Sequence, residues 1–411
     1  MYRRHVTGRW VLALIVVTFG LTANVSLADI EKARLDAIAA DLHGRVNENK
    51  LSGAVVMITQ NGKIQMEQAF GYQNVEEQIP MSTDTIFRIF SMTKPIAGTA
   101  LMILYDEGKF QLDDTVEKHL PAPAAMTVFV AQNEDGSFET EAADHPMTIR
   151  ELMSHTGGLL YSPPLSSGPI AEAYAKAGIR DKHNYTMAQT IPALGGIPLG
   201  YQPGTKWVYS ISVDVQGYLV EVLSDQTFDK FLQERIFDPL GMVDTSFFVA
   251  PEKVDRFARQ YSPGKDGKLA RVDTGSFLKK PKFFSGGGGL TSTAGDYMKF
   301  ARMHLNGGEL NGRRILSEEA IQLMRSNQLP DAVPNISQTY PGNVFGLDFA
   351  IVDEPELYNG APKGTHWWWG IAGSWFWIDP VENIIFVGMI QNSDVRYSIQ
   401  THAAMRELLY R

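Results

Sequence analysis

The chain has 411 residues, 44% hydrophobic and 20% charged, a length that suggests two domains or one domain with a large insertion. Its net charge is −9 and it carries no basic block, which argues against nucleic acid as a partner. Cysteine is absent, so a thiol nucleophile, a disulfide framework and thiolate metal ligands are excluded together.

The chain opens with Arg3, Arg4 and Arg9, runs apolar from Trp10 to Ala23, and reaches small residues at Ser26-Leu27-Ala28. That three-part pattern predicts a signal peptide over residues 1–28, cut after Ala28. It implies export, to the periplasm, with no stable membrane span left in the mature chain. The apolar run is short for a transmembrane anchor. Cleavage removes three arginines and no acid, moving net charge from −9 to −12.

Ile30, Leu35, Ile38, Leu42 and Val46 recur at helical spacing after Asp29. AVVMITQNGKIQMEQAFGY then reads as two strands joined at Asn61-Gly62, a strong hairpin signal. From about 92 to 335, helical segments alternate with long Pro/Gly loops: TIRELMSH, VDVQGYLVEVLSDQTFDKFLQERIF, AGDYMKFARMHLN and SEEAIQLMRS. SGGGGL at 285–290 lacks the lysine of a phosphate loop and reads as a tight turn into a helix capped near Thr293. SWFWIDPVENIIFVGMIQN reads as two strands around Asp379-Pro380, and SIQTHAAMRELLYR as a closing helix. The expected fold class is α+β: an antiparallel sheet built from 29–91 and 336–411 and flanked by helices, with a mainly helical region inserted at 92–335.

Within TIFRIFSMTKPIAGTALMILYDEG lies Ser91-Met92-Thr93-Lys94. A serine and a lysine three apart share one helix face, so the amine can reach the hydroxyl and make it nucleophilic. The motif also admits an N-capping serine beside a solvated lysine. Two further copies, Ser262–Lys265 and Ser276–Lys279, lie in a turn-rich and a basic stretch. Ser91 alone follows an apolar segment and opens an apolar-periodic helix, with Pro95 in its first turn and Gly108 as its stop.

Five blocks in order, GYQNVEEQIPMSTDTIFRIFSMTKPIAGTALMILYDEGKFQLDD, LMSHTGGL, YQPGTKWVYSIS, SGGGGLTSTAGDYMKF and WWGIAGSWFWIDP, make the chain resemble the serine β-lactamase-like hydrolases. The resemblance is to the branch of class C β-lactamases, D-amino-peptide hydrolases and family VIII carboxylesterases, and spans essentially the whole mature chain. It implies Ser91 as nucleophile, with Lys94 and Tyr209 as its acid–base pair, at the interface of sheet and helical region. The second motif, Tyr209-Ser210-Ile211, puts Ile211 where β-lactamases carry asparagine, with the nearest hydroxyl on Ser212. The third motif falls on Trp368-Trp369-Gly370, where Trp369 departs from both the K-T-G and the W-G-G patterns. Trp368, Trp369, Gly370 and Ser212 are then substrate-binding candidates. The backbone amides of Ser91 and Ile371 are the implied oxyanion donors.

Histidine is not expected in this chemistry. There is no G-x-S-x-G elbow and no H-E-x-x-H, and His145, His155 and His183 lack ligand spacing, so neither metal nor cofactor is expected. His155 is read as bonding backbone at a helix end. Loops 118–147 and 157–200 are expected to wall the pocket. The substrate is a small-molecule ester or amide; the sequence does not define the oligomeric state. Trp368-Trp369 supplies aromatic area where a β-lactamase offers a cation to the substrate carboxylate, which favours esters, although Lys363 and His366 stand close by. The alternatives are a β-lactamase or D-amino-peptide hydrolase, and a non-catalytic penicillin-binding-like protein.

Overall fold

The computed structural model of the protein describes residues 1, 29–120, 126–264, 268–272 and 275–411. Residues 2–28 of the expected signal segment, including Ala28 at its cleavage site, lie outside them. No helix among the described residues is long and apolar enough to cross a membrane.

One eight-stranded antiparallel sheet draws its strands from both ends of the chain. Three come from the N-terminal part: β1 (Gly53–Gln60), β2 (Lys63–Asn74) and β3 (Ile79–Pro80). Five come from the C-terminal part: β4 (Asn343–Phe345), β5 (Ala350–Val352), β6 (His366–Trp369), β7 (Trp375–Asp379) and β8 (Ile384–Met389). The spatial order is β4-β5-β6-β7-β8-β1-β2-β3, so β1 and β8 join the two halves with Val55 opposite Met389. Asn61 and Gly62 turn the first hairpin with φ of 52° and 74°, the left-handed pair that a two-residue turn demands. Strand β1 is buried at every position because both sheet faces are covered.

Strand β7 shows how. Trp375 stacks on His402 and Trp377 meets Tyr410, both on the closing helix Val395–Tyr410. Phe376, pointing the other way, packs on Tyr297 of the helix Ala294–Leu305. Period-two alternation thus assigns one helix to each face. Trp368 pairs with Phe376 across the β6–β7 ladder, which turns its side chain toward the helical region.

Helix α1 (Lys32–Asn47) precedes the first hairpin, and the inserted region is built around α2 (Thr93–Asp106). Helix α2 is buried from Thr93 to Leu104, as expected of a helix apolar on all sides, and packs along the helix Ser212–Ser224. Gly108, with φ of 71°, ends it. The inserted region also holds small hairpins, among them Val128–Gln132 with Phe138–Glu141, Gln260–Pro263 with Leu269–Val272, and Glu309–Leu310 with Arg313–Arg314. The sequence reading does not anticipate them, because their strands are too short to show a clear alternation. Ser262 lies in the second of these hairpins and Ser276 in a short 3-10 turn, so neither opens a long buried helix as Ser91 does.

Candidate active site

Ser91 sits in a single 3-10 turn, Phe90–Met92, immediately before α2 rather than inside it. The preceding Phe90 has φ of 41°, a conformation that side-chain-bearing residues rarely adopt. Its ring, edge-on to Phe277 at 5.4 Å, holds this strained turn. Lys94, in the first turn of α2, reaches back so that Nζ lies 3.3 Å from Ser91 Oγ and donates to the Gly287 carbonyl at 2.5 Å.

Lys94 is fully buried. Burial pulls its amine from 10.5 down to about 7, against the charge of Asp214 and with help from Arg180. The Tyr209 ring lies 4.5 Å beneath the amine. Burial pushes the Tyr209 hydroxyl well above its ordinary range, while contact with Ser91 and Trp368 opposes the shift. Trp368 Nε1 donates to the Tyr209 hydroxyl oxygen at 3.2 Å. Serine, lysine, tyrosine and tryptophan therefore meet from three separate segments: the Ser91–Lys94 stretch, the stretch before the helix Ser212–Ser224, and strand β6.

The glycines of SGGGGL have a specific task. A Cβ on Gly287 would stand 2.9 Å from Asp214 Oδ1, and one on Gly286 would stand 2.3 Å from the Val213 carbonyl oxygen. Bare backbone can thus slide between α2 and the helix Ser212–Ser224 and present a carbonyl to Lys94. Asp214 fixes this loop, accepting from Ser285 Oγ at 2.6 Å and from the Gly287 amide at 2.8 Å. Thr293 caps the helix that follows, accepting from the Asp296 amide at 3.1 Å.

Gly370 serves a similar end. A Cβ there would lie 2.3 Å from the Ile89 carbonyl oxygen, so the end of β6 can pass close to the Ser91 turn only as glycine. Ile371 follows, 40% exposed. Among the described residues, neither the Ser91 nor the Ile371 amide donates to a backbone carbonyl outside its own element.

Ser91 and Tyr209 open onto a cavity of about 330 Å³, also lined by Tyr161, Tyr340, Trp368, Trp369, Ile371 and Arg180. Trp369 points opposite to Trp368, as strand alternation requires. Its ring lies against His402 and its Nε1 donates to the Tyr340 hydroxyl at 3.0 Å, yet it borders the cavity at the sheet edge.

Several expectations change. Ser212 does not line the cavity: it is 1% exposed and its hydroxyl is 2.7 Å from that of Ser210. His155 adopts φ of 60°, and its Nδ1 pairs with Ser210 Oγ at 3.0 Å and accepts from the Ser210 amide, so a side chain as well as backbone holds it. Its ring supports Tyr209 at 5.0 Å. Of the two expected loops, 157–200 supplies Tyr161, Leu165 and Arg180, whereas the described part of 118–147 lines a different hollow around Met126 and Met147. Lys363 is tied to Asp353 at 2.7 Å, and His366 is buried, its imidazole drawn down to about 4 by desolvation. The cavity nevertheless has a cation, Arg180. No group of His, Asp or Glu among the described residues is arranged to hold a metal ion.

Sequence reasoning missed Arg180, Tyr161, Tyr340, Asp214 and Gly287. Tyr161 stands six residues beyond His155, just past that motif block, and Asp214 two beyond Ser212, and those positions were the available signals.

A serine in a strained turn before a buried helix, a lysine behind it and a tyrosine across the cleft, on an antiparallel sheet, match a known design. The chain belongs to the Beta-lactamase family, whose profile matches residues 28–409. Among its relatives is the Mycobacterium tuberculosis "Protein Rv1367c", 35% identical over 368 residues, covering 87% of this chain and 90% of that one. The esterase EstB of Burkholderia gladioli is 29% identical over 365 residues, covering 84% and 86%. The solved structure of EstCE1, described as a hydrolase with promiscuous acyltransferase activity, superposes with a TM-score of 0.78 at 25% identity, covering 92% of this chain and 99% of that one.

Proposed function

We propose that the protein cleaves carboxylic esters through an acyl-enzyme on Ser91. The observation that carries this reading is the meeting of Ser91, Lys94 and Tyr209 at the floor of one aromatic-lined cavity. An amine drawn to about 7 is substantially neutral at physiological pH and can take the Ser91 proton as Oγ attacks the ester carbonyl. A hydroxyl held well above its ordinary range stays protonated, which suits Tyr209 to donate to the leaving alkoxide rather than to act first as base. The Ser91 and Ile371 amides receive the tetrahedral oxyanion. Collapse expels the alcohol, and water, activated by the same pair, releases the acid.

Esters are favoured over β-lactams by the indole and phenol surfaces of Trp368, Trp369 and Tyr340, and by Ile211, fully buried where an amide would be needed. The likeness to esterase EstB supports the same choice. The intact trio opposes a non-catalytic role. EstCE1 adds a second acceptor to consider, because an alcohol can replace water in resolving the acyl-enzyme. The test sets p-nitrophenyl butyrate beside nitrocefin, each with Ser91→Ala as control. Ester turnover that depends on Ser91 and exceeds nitrocefin turnover in kcat/KM is expected. Equal or faster nitrocefin hydrolysis transfers the site to the β-lactamase reading.

A further inference from the structure

The acylation chemistry leaves one charged side chain of the cavity without a task. Arg180 lies just past the helix Pro169–Lys176, in the wall opposite the sheet. Its guanidinium stacks over the Tyr161 ring at 4.7 Å, and Tyr161 is itself 2% exposed. Its Nε is 3.6 Å from Asp214 Oδ2, near enough for charge attraction but beyond a hydrogen bond. Asp214 is engaged elsewhere: Oδ1 takes Ser285 and Gly287, and Oδ2, although buried, accepts no hydrogen bond among the described residues. Arg180 is therefore held on its flat face by an aromatic ring and steered by a carboxylate at a distance. Its N–H fork makes no hydrogen bond within the described residues, and the side chain keeps 36% of its surface exposed.

A guanidinium stays charged under all ordinary conditions and presents paired donors that fit a carboxylate. A carboxylate entering an aromatic cavity loses its water and binds only where such donors receive it. We propose that Arg180 receives an anionic group of the substrate, so that this site takes esters pairing an apolar acyl or aryl part with a carboxylate. This rests on the ester reading above and narrows it. The apolar part lies along Trp368 and Tyr340, and the carboxylate lies against Arg180 beside Tyr161.

The rival cation is Lys94, which Ser91 and Gly287 already occupy. The experiment separates the two. Ser91→Ala protein, which has lost the proposed nucleophile, is titrated with 4-phenylbutyrate and with its neutral counterpart 4-phenylbutyramide at pH 8.5, where Lys94 is mostly neutral. Binding is read by fluorescence of the cavity tryptophans. The carboxylate is expected to bind about 10-fold tighter than the amide, the scale of a charge-assisted pair. With Arg180→Gln added, the two ligands should bind within about 2-fold of each other. Arg180→Lys, which keeps the charge and the stem, should reduce the preference without abolishing it. Equal binding of the two ligands to the Ser91→Ala protein overturns the inference. So does a preference that persists undiminished in both Arg180 variants. Failure of the ester reading itself shows separately, as absence of Ser91-dependent p-nitrophenyl butyrate turnover in the parent protein.

Discussion

The cavity has two walls of different origin. One is the end of β6 and the turn after it, where Trp368, Trp369 and Ile371 are set by an antiparallel ladder in fixed register with β7. The other is the stretch that carries Tyr161, Leu165 and Arg180, which has no ladder and is loop apart from the short helix Pro169–Lys176. The sheet wall supplies shape and apolar area in a rigid frame. The loop wall supplies the charge. Between them, Tyr209 accepts a hydrogen bond from Trp368 on one side and packs on Tyr161 at 5.3 Å on the other. On the proposed ester reading, reaction chemistry belongs to the floor, and substrate choice is divided between walls that can vary independently.

The largest effects should come from the floor, which both walls serve. Lys94→Ala and Tyr209→Phe should each lower kcat by about 10²-fold or more, the usual scale for losing acid–base help, with circular dichroism unchanged. Near-normal turnover of either variant removes that residue from the mechanism. The acid side of the rate profile follows from the same amine. Only neutral Lys94 accepts a proton, and its value is lowered to about 7, so kcat/KM should fall roughly tenfold per pH unit below that point and level off above it. A profile flat from pH 5 to 9 removes Lys94 as the base.

The sheet wall comes next. Trp368→Ala removes an indole that packs on Tyr209 at 5.3 Å and holds its hydroxyl, and should lower kcat/KM for p-nitrophenyl butyrate about 10-fold. If the loss is equal for neutral and carboxylate-bearing esters, the division of labour between the walls is sharpened. If it falls on carboxylate esters alone, the division breaks. The smallest effect is expected beneath the floor, where Ser212→Ala should change kcat/KM by no more than about 2-fold, because its hydroxyl meets Ser210 and not the cavity. A tenfold change there would put the Ser210–His155 chain into the mechanism.

The same contrast governs what the sequence discloses. Strand β7 is legible because Trp375, Phe376 and Trp377 alternate between two helices, and the first hairpin because Asn61-Gly62 has one good conformational use. Ser91, Lys94 and Tyr209 are legible because each stands in a short motif with a chemical reason behind its spacing. The loop wall is not legible. Arg180 lies 86 residues from Lys94 in an irregular segment, and nothing in its neighbours distinguishes it from other surface arginines. SGGGGL announces a close backbone approach but not its object, which is the Lys94 amine. Asp214, half a turn past Ser212, looks like an ordinary first-turn helix acid until the glycine loop is seen folded onto it. Ser212 itself misleads, because a hydroxyl next to the motif in sequence points below the site in space.

The most direct measurement is covalent. The protein is treated with a fluorophosphonate, digested and examined by mass spectrometry, in parallel with Ser91→Ala. The account predicts a single adduct on the peptide carrying Ser91, lost in the variant. An adduct on another serine, or full labelling of Ser91→Ala, would contradict the claim that Ser91 is the nucleophile.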